Sequence, residues 1–221
     1  MIKIPKNLKT AMVSALTALE YLREGNRRFV SGETRSRKDT LNQERRSELA
    51  SCQQPYATIL GCSDSRVPPE MIFDQGLGEL FVIRVAGNIA TPPQIGSVEF
   101  ATKHLGARLI VVLGHSKCGA VQATLEAIAH PEETPSRNLG SIVENIRPSV
   151  ETLGQQEPPL SPEMLMQRAV RANIAATANR LRKESELLNQ AIHPERLLIV
   201  GAEYSLETGV VDFFDGLPET G

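Results

Sequence analysis

Two short segments of the chain carry the side chains best suited to metal chemistry. Residues 61–66 read Gly-Cys-Ser-Asp-Ser-Arg and residues 114–119 read Gly-His-Ser-Lys-Cys-Gly, and each follows an apolar run. Two thiolates and one imidazole suit Zn²⁺, whose catalytic sites use three protein ligands and leave a fourth position open. If the two segments meet in the fold, Cys62, His115 and Cys118 are therefore predicted to bind one zinc ion.

Each of these residues also has an ordinary structural interpretation. A lone cysteine is more often a small buried hydrophobic residue, and a lone histidine more often a hydrogen-bonded polar group. A redox disulfide would favour a Cys-x-x-Cys pair, which the sequence lacks, and a closed structural zinc site would need a fourth ligand nearby. Cys52 precedes Cys62 along a predicted strand and is expected to face elsewhere. The clustering of ligand types beside glycines favours an open zinc site.

Asp64 and Arg66 follow the first cysteine at intervals of two residues. Both side chains can point into one cavity from the turn after a strand, and an Asp beside an Arg stays ionised. An exposed ion pair in a turn is the alternative, and such a pair contributes only about 0 to 1 kcal/mol. The adjacent Cys62 favours a catalytic role for Asp64 and Arg66.

The elements that precede the two segments must bring them together. Helix-like stretches separate four short, apolar, β-rich runs: Tyr56 to Leu60, Leu80 to Arg84, Leu109 to Leu113 and Leu197 to Val200. This alternation predicts an α/β fold with a mostly parallel four-stranded sheet flanked by helices, and Val210 to Phe214 could add a fifth, edge strand. If the first and third strands are neighbours, both segments lie at the ligand-binding edge of the sheet.

The first 50 residues show helical patterns and no predicted strand. Five apolar residues recur near helical spacing before Gly32, namely Leu16, Leu19, Tyr21, Leu22 and Phe29. The apolar stripe of this N-terminal helical arm must pack either on its own domain or on a partner subunit.

The rest of the chain completes one predicted domain, residues 1–221, whose α/β core spans residues 55–215. Within this core, prolines mark loops at 131–135 and 158–162, and Ser161 to Gln190 is predicted to be one long amphipathic helix.

The composition is that of a globular protein acting on a small molecule. The chain has 221 residues, 41% of them hydrophobic and 23% charged, and its net charge of −2 provides no basic field for nucleic acid or for an anionic membrane. It has no apolar run of roughly 18 residues and no signal-peptide pattern at its start, so a cytoplasmic location is predicted. Three cysteines are too few for a disulfide framework.

Three motifs and several weaker matches point to one protein family. The motifs are Cys-Ser-Asp-Ser-Arg at 62–66, Arg-Val-Ala-Gly-Asn at 84–88 and His-Ser-Lys-Cys-Gly at 115–119. The weaker matches are Asn-Arg-Arg-Phe at 26–29, Gly-Ala-Glu-Tyr at 201–204 and Thr-Gly at 208–209. On these motifs, the chain resembles the β-class carbonic anhydrases over nearly its whole length. The resemblance implies a zinc enzyme that interconverts CO₂ and bicarbonate.

The resemblance also implies how the site works. Zinc lowers the pKa of its water from about 16 to about 7, and the resulting hydroxide attacks CO₂. In the family, the carboxylate matching Asp64 accepts a hydrogen bond from this hydroxide, and the guanidinium matching Arg66 holds that carboxylate away from the metal.

Further roles follow from the same resemblance. Gln53 matches a residue that donates a hydrogen bond to substrate, and Phe81 matches one that lines the pocket. Gly119 is predicted from its position, just after the second cysteine, to leave room for substrate or to present its amide at a helix start. His104 matches a histidine implicated in proton transfer. Without the resemblance, Gln53 would be interpreted as a surface residue, Phe81 as a core residue and His104 as an exposed residue at a helix end.

The family contains an open subtype and one that switches. Switching members hold bicarbonate in a pocket that uses a Trp three residues before the first Cys ligand, where this chain has Ile59 and contains no Trp at all. Arg84 matches an Arg of that pocket but also occurs in members that do not switch. With Gln53 and Phe81 matching the open subtype, an open site with water as the fourth ligand is predicted.

The resemblance further implies a homodimer, or a higher oligomer built from dimers, in which the arm packs on its neighbour. Two other functions compete with carbonic anhydrase activity. One is hydrolysis of carbonyl sulfide or carbon disulfide on the same scaffold, and the other is zinc binding without catalysis. The intact Asp64 and Arg66 favour CO₂ as the substrate.

Overall fold

Five strands form one sheet at the centre of the molecule. The computed structural model describes residues 13–36, 43–133, 135–155, 158–193 and 196–218. The strands are β1 (Ala57–Gly61), β2 (Leu80–Arg84), β3 (Leu109–His115), β4 (Leu198–Tyr204) and β5 (Val211–Asp215). Their order in the sheet is β2-β1-β3-β4-β5, with the first four parallel and β5 antiparallel to β4. The predicted α/β fold is confirmed, including the fifth edge strand.

The helices flank the sheet on both faces. They are α1 (Ala15–Ser31), α2 (Gln43–Leu49), α3 (Pro69–Ile72), α4 (Pro92–Phe100), α5 (Gly119–Ala129), α6 (Arg137–Val150), α7 (Pro162–Glu184) and α8 (Glu186–Ala191). A π-helical turn, Ala101–Leu105, extends α4. In the described ranges, no helix combines the length and apolar composition that crossing a membrane requires.

The central strands bury side chains on both faces, as parallel strands covered by helices must. All seven residues of β3 are buried. Leu109, Val111 and Leu113 pack in the hydrophobic cluster on one face, whereas Ile110 and Val112 pack in the cluster on the other. Unbroken apolar runs in the sequence therefore correspond to strands at the centre of the sheet.

The chain leaves β1 and β2 toward opposite faces of the sheet. Ile72 of α3, between β1 and β2, packs in the cluster that also contains α1, whereas Val98 of α4, between β2 and β3, packs in the opposite cluster. A crevice opens at such a point, at the carboxyl ends of the strands. The predicted adjacency of β1 and β3 is confirmed by their pairing from Ala57 with Leu109 to Gly61 with Leu113.

Helix α1 packs on the sheet of its own chain. Ala15, Ala18, Leu19 and Leu22, at helical spacing, are buried against residues of the central strands. Leu16 and Tyr21 were included in the predicted apolar stripe, but they are 46% and 44% exposed. The stripe is therefore rotated from the predicted one, because Ala15 and Ala18, rather than Leu16 and Tyr21, face the sheet beside the predicted Leu19 and Leu22. Residues 1–12 lie outside the described part of the chain.

Three of the predicted elements differ from the structure by more than a one-residue shift. β3 extends to His115 and β4 to Tyr204, because these two strands continue to pair beyond their apolar runs. The long helix predicted from Ser161 to Gln190 is two helices, since Ser185 adopts an extended conformation and its side chain caps α8 by accepting from the amide of Leu188.

Candidate metal centre

The three predicted metal ligands converge at the carboxyl edge of the sheet. Cys62 directly follows β1, His115 is the last residue of β3, and Cys118 is the N-cap residue of α5. Their ligand atoms all lie within 4.8 Å of one another, and all three residues are buried. Neighbouring parallel strands and one short turn thus assemble a ligand set drawn from positions more than fifty residues apart.

The orientation of His115 leaves one ring nitrogen free for a metal. Its Nδ1 lies 2.9 Å from the carbonyl oxygen of Ser116, to which it must donate because a carbonyl only accepts. Its Nε2 is buried and has no hydrogen-bond partner in the described structure. A buried polar atom without a partner is costly, and a metal bound by that nitrogen and the two thiolates would remove the cost.

The two thiols are arranged so that one ionises easily. A hydrogen bond from Cys118 lowers the pKa of Cys62, although burial opposes ionisation. The backbone amide of Gly87 also donates to the sulfur of Cys62, at 3.4 Å. The thiolate of Cys62 in turn raises the pKa of Cys118. Thiolates are the form of cysteine that binds metals, and zinc is the ion that two thiolates and one imidazole fit best.

Asp64 and Arg66 form a bidentate pair beside the three ligands. The Nε and Nη2 atoms of Arg66 donate to the two carboxylate oxygens of Asp64 at 3.0 and 2.7 Å, and the Arg66 amide donates to one of them at 2.9 Å. These hydrogen bonds hold the pKa of Asp64 well below its usual range. The Oδ2 atom of Asp64, which accepts from Nη2 of Arg66, lies 3.8 Å from Nε2 of His115. An ionised carboxylate therefore borders the metal centre.

Comparison with known proteins identifies the family. The sequence model of the carbonic anhydrase family matches residues 57–211. Carbonic anhydrase 2 of Mycobacterium tuberculosis is 40% identical over 194 residues, which cover 88% of this chain and 90% of that protein. The solved β-carbonic anhydrase CcaA is 28% identical, with a TM-score of 0.70 and coverage of 90% and 95% of the two chains.

The chain belongs to the β-carbonic anhydrases. Two further relatives agree with this assignment. The carbonic anhydrase of Mycolicibacterium smegmatis is 37% identical over 93% of this chain and 96% of its own length. The β-carbonic anhydrase of Coccomyxa, solved with acetazolamide, is 26% identical, with a TM-score of 0.70 and coverage of 89% and 86% of the two chains.

The part of the chain matched to the carbonic anhydrase family includes all three predicted metal ligands, Asp64 and Arg66. Cys52 lies before β1 rather than along a strand, because that strand begins only at Ala57. It is not among the described residues that form the metal-ligand cluster, as expected.

The sequence analysis gave roles to four other residues, namely Gln53, Phe81, His104 and Gly119. Gln53 is exposed in the segment before β1. Phe81 lies on the edge strand β2, with its ring 6.3 Å from that of Phe100, which lies 5.1 Å from the ring of His104. Gly119 is exposed at the start of α5, directly after a ligand. Phe81 and His104 thus belong to one aromatic group at the β2 edge.

The sequence indicated no role for Gly87 and linked Arg84 only with the family's bicarbonate pocket, yet both residues support the predicted ligands. Gly87 has a φ of 73° and donates to Cys62, and a Cβ there would lie 2.7 Å from the side chain of Ile146. Arg84 donates to the carbonyl oxygens of Cys62 and Asp64 at 3.0 and 2.6 Å. Their place in the 84–88 motif was the available signal, but only the fold shows what they contact.

Proposed function

We propose that this chain is a zinc carbonic anhydrase that interconverts CO₂ and bicarbonate, with the metal held by Cys62, His115 and Cys118. One observation carries the proposal. Three zinc-type ligand atoms lie within 4.8 Å of one another at a strand-end crevice, with Nε2 of His115 buried and without a partner in the described structure. A bound zinc ion would supply hydroxide at neutral pH, because it lowers the pKa of water to about 7.

The remaining chemistry belongs to the side chains around the ligands. Asp64 stays ionised because Arg66 donates two hydrogen bonds to it, so it can accept a hydrogen bond and orient the attacking group toward CO₂. Arg66 fixes the carboxylate through both oxygens, a geometry that a lysine cannot reproduce. Arg84 holds the backbone of the same turn through two carbonyl oxygens.

The site is proposed to be of the open subtype. The bidentate pair with Arg66 occupies both carboxylate oxygens of Asp64. That carboxylate is not among the ligand atoms that converge in the described chain. Closure by Asp64 would require the pair to break, and a two-state switch needs a ligand that prefers the closed form. The Trp of the family's bicarbonate pocket is replaced by Ile59.

Substrate contacts are proposed for three residues and proton transfer for a fourth. A Cβ at Gly119 would meet nothing within 4 Å, which supports the idea that this position leaves space for a small substrate. Phe81 supplies an apolar ring near the β2 edge, and Gln53 an amide donor in the segment before β1. His104 is exposed, as a residue that passes protons to buffer must be.

A homodimer, or an oligomer built from dimers, is proposed as the working form. β2 lies at the outer edge of the sheet with side chains only half-buried, and exposed edge strands tend to be covered by another element or another chain. Because α1 packs on its own sheet, the edge of β2 and the exposed ring of Phe100 beside it are the better candidates for contact with a second copy. The cytoplasm remains the predicted location.

CO₂ hydration by stopped flow on protein of measured zinc content tests the proposal. The expected result is one zinc per chain and a rate that depends on pH through a single titration. A protein that hydrates CO₂ without zinc would overturn the metal assignment. Preferred turnover of carbonyl sulfide or carbon disulfide would assign the site to that hydrolase activity instead. A steep, cooperative loss of activity below neutral pH would contradict the open subtype.

A further inference from the structure

Of the two residues between the second and third ligands, Lys117 holds a backbone conformation that needs support. Lys117 has a φ of 54°, in the left-handed region that residues with a Cβ rarely adopt. This conformation turns the chain from the end of β3 into α5, so that His115 and Cys118 face the same point. Strained conformations of this kind persist only where surrounding contacts impose them.

The contacts come from the end of β4 and the loop that follows it, some ninety residues later in the chain. The Ser116 amide donates to the carbonyl oxygen of Tyr204 at 3.0 Å. The Ser116 hydroxyl accepts from the amide of Leu206 at 3.0 Å and donates to a carboxylate oxygen of Glu207 at 2.9 Å. The other carboxylate oxygen of Glu207 lies 2.5 Å from the ammonium of Lys117. Glu207 therefore contacts both residues of the turn between the ligands.

These contacts lead directly to a metal ligand. The carbonyl oxygen of Ser116 accepts from Nδ1 of His115, so the position of Ser116 decides which ring nitrogen faces the two thiols. Partners that orient a metal-binding histidine in this way commonly control metal affinity. The hydrogen bonds from Lys117 and Ser116 lower the pKa of Glu207 to about 2, so the carboxylate remains an acceptor throughout the working pH range.

We infer that Glu207, acting through Ser116, is a positioning residue that holds the turn between His115 and Cys118 and slows the release of zinc. The inference rests on the proposed zinc site. The competing interpretation is a surface ion pair between Lys117 and Glu207, whose side chains are 70% and 47% exposed. Such exposed pairs contribute little to stability in water. In the first interpretation the contact that matters is the one between Ser116 and Glu207, and in the second it is the one between Lys117 and Glu207.

Zinc release from the purified holoenzyme into an excess of a colorimetric chelator distinguishes them. Glu207→Ala and Ser116→Ala should each release zinc about 10 to 100 times faster than the wild type, the usual effect of losing a residue that supports a ligand. Glu207→Gln, which keeps an oxygen acceptor for Ser116, should stay close to the wild-type rate. Lys117→Met should also stay close to it.

Glu20→Ala provides the matched control. Glu20 is 49% exposed and pairs with Arg27 at 2.8 Å on α1. The substitution therefore removes an ion pair whose carboxylate is about as exposed as that of Glu207, but which lies away from the metal centre. Its release rate should equal that of the wild type. Cobalt(II) substitution adds a second readout, because the visible spectrum reports the geometry of the ligands: Glu207→Ala should shift it, whereas Glu20→Ala should not.

Two results would overturn the inference while leaving the proposed function intact. Wild-type release rates in both Glu207→Ala and Ser116→Ala would show that the contact does not hold the metal. Faster release in Lys117→Met but not in Ser116→Ala would assign the effect to the ion pair. A wild-type protein that binds no zinc would instead contradict the proposed function itself. If Glu207→Ala does not fold, Ser116→Ala removes the same hydrogen bond from its other end, together with the one from the amide of Leu206.

Discussion

The three cysteines occupy different surroundings, and this difference predicts their roles. Cys62 and Cys118 are buried at the metal centre, whereas Cys52 is partly exposed before β1. Cys62→Ser should reduce the zinc content to near zero and abolish CO₂ hydration, because two protein ligands do not hold the ion in place. Cys52→Ser, the matched control, should keep full zinc content and activity. Metal analysis and stopped-flow assay of both variants check this, and a fully loaded Cys62→Ser protein would disprove the ligand assignment.

Arg66 is predicted to act by holding Asp64 in place rather than by keeping it ionised. In Arg66→Ala the pKa of Asp64 should rise toward its ordinary value of about 3.9, which still leaves the carboxylate ionised at pH 7. The loss of kcat/KM relative to the wild type should therefore come from misorientation, at about 10- to 100-fold, and the ratio between the two proteins should be the same at pH 9 as at pH 7. Activity equal to the wild type would mean that the pair is only a surface feature, and recovery at high pH would mean that ionisation was limiting.

At the scale of secondary-structure elements, two glycines beside the ligands are predicted to respond differently to the same substitution. Gly87→Ala should destabilise the protein by about 1 to 3 kcal/mol, because its φ is 73° and the new methyl group would press on Ile146. Gly119→Ala should leave stability nearly unchanged, since nothing lies within 4 Å of the new methyl group, but it should raise KM for CO₂. Chemical denaturation and steady-state kinetics separate the two effects. An unchanged KM in Gly119→Ala would remove its proposed role in substrate binding.

The ion pair between Arg35, in the segment after α1, and Glu79, directly before β2, is predicted to be weakened by acid. Burial opposes ionisation of Glu79, but hydrogen bonds from Arg35 at 2.7 and 3.2 Å outweigh it, so the net effect lowers the pKa of Glu79. A group whose pKa is lower in the folded state stabilises the protein above its unfolded pKa, and this contribution disappears as the pH falls through the folded value.

Glu79→Gln should therefore cost about 1 kcal/mol at pH 7, the difference between a charged and a neutral hydrogen bond. The gap in unfolding free energy between wild type and variant should close as the pH falls from about 5 to below about 4, near and under the ordinary pKa of glutamate. Urea denaturation at several pH values measures it. A gap that persists unchanged at low pH would show that charge is not the source.

At the scale of the whole molecule, the exposed ring of Phe100 at the β2 edge is predicted to lie in an interface between two copies. Phe100, 38% exposed beside Phe81, should be covered there, so Phe100→Glu should weaken the dimer at least about tenfold by burying an unpaired charge. Val210→Glu is the control, because Val210 is 47% exposed at the opposite end of the sheet. Sedimentation at micromolar concentration measures both variants. A wild-type monomer with full activity would contradict the prediction.

The sequence by itself determined the class of fold and most of the metal site. Unbroken apolar runs separated by helical patterns predicted a parallel sheet, because strands covered on both faces cannot alternate with polar residues. The types and spacing of Cys62, His115 and Cys118 predicted zinc, because few other ions prefer two thiolates and one imidazole. These conclusions depend on local chemistry, which the sequence states directly.

Only the tertiary structure decided what depends on neighbours distant in sequence. It placed Ala15 and Ala18, rather than Leu16 and Tyr21, against the sheet, because helical spacing alone does not tell which side of a broad apolar stripe fits a given surface. It likewise brought Glu207 to Ser116 across 91 residues. Such contacts arise from the order of strands in the sheet, and that order is set by packing over the whole chain rather than by any segment of it.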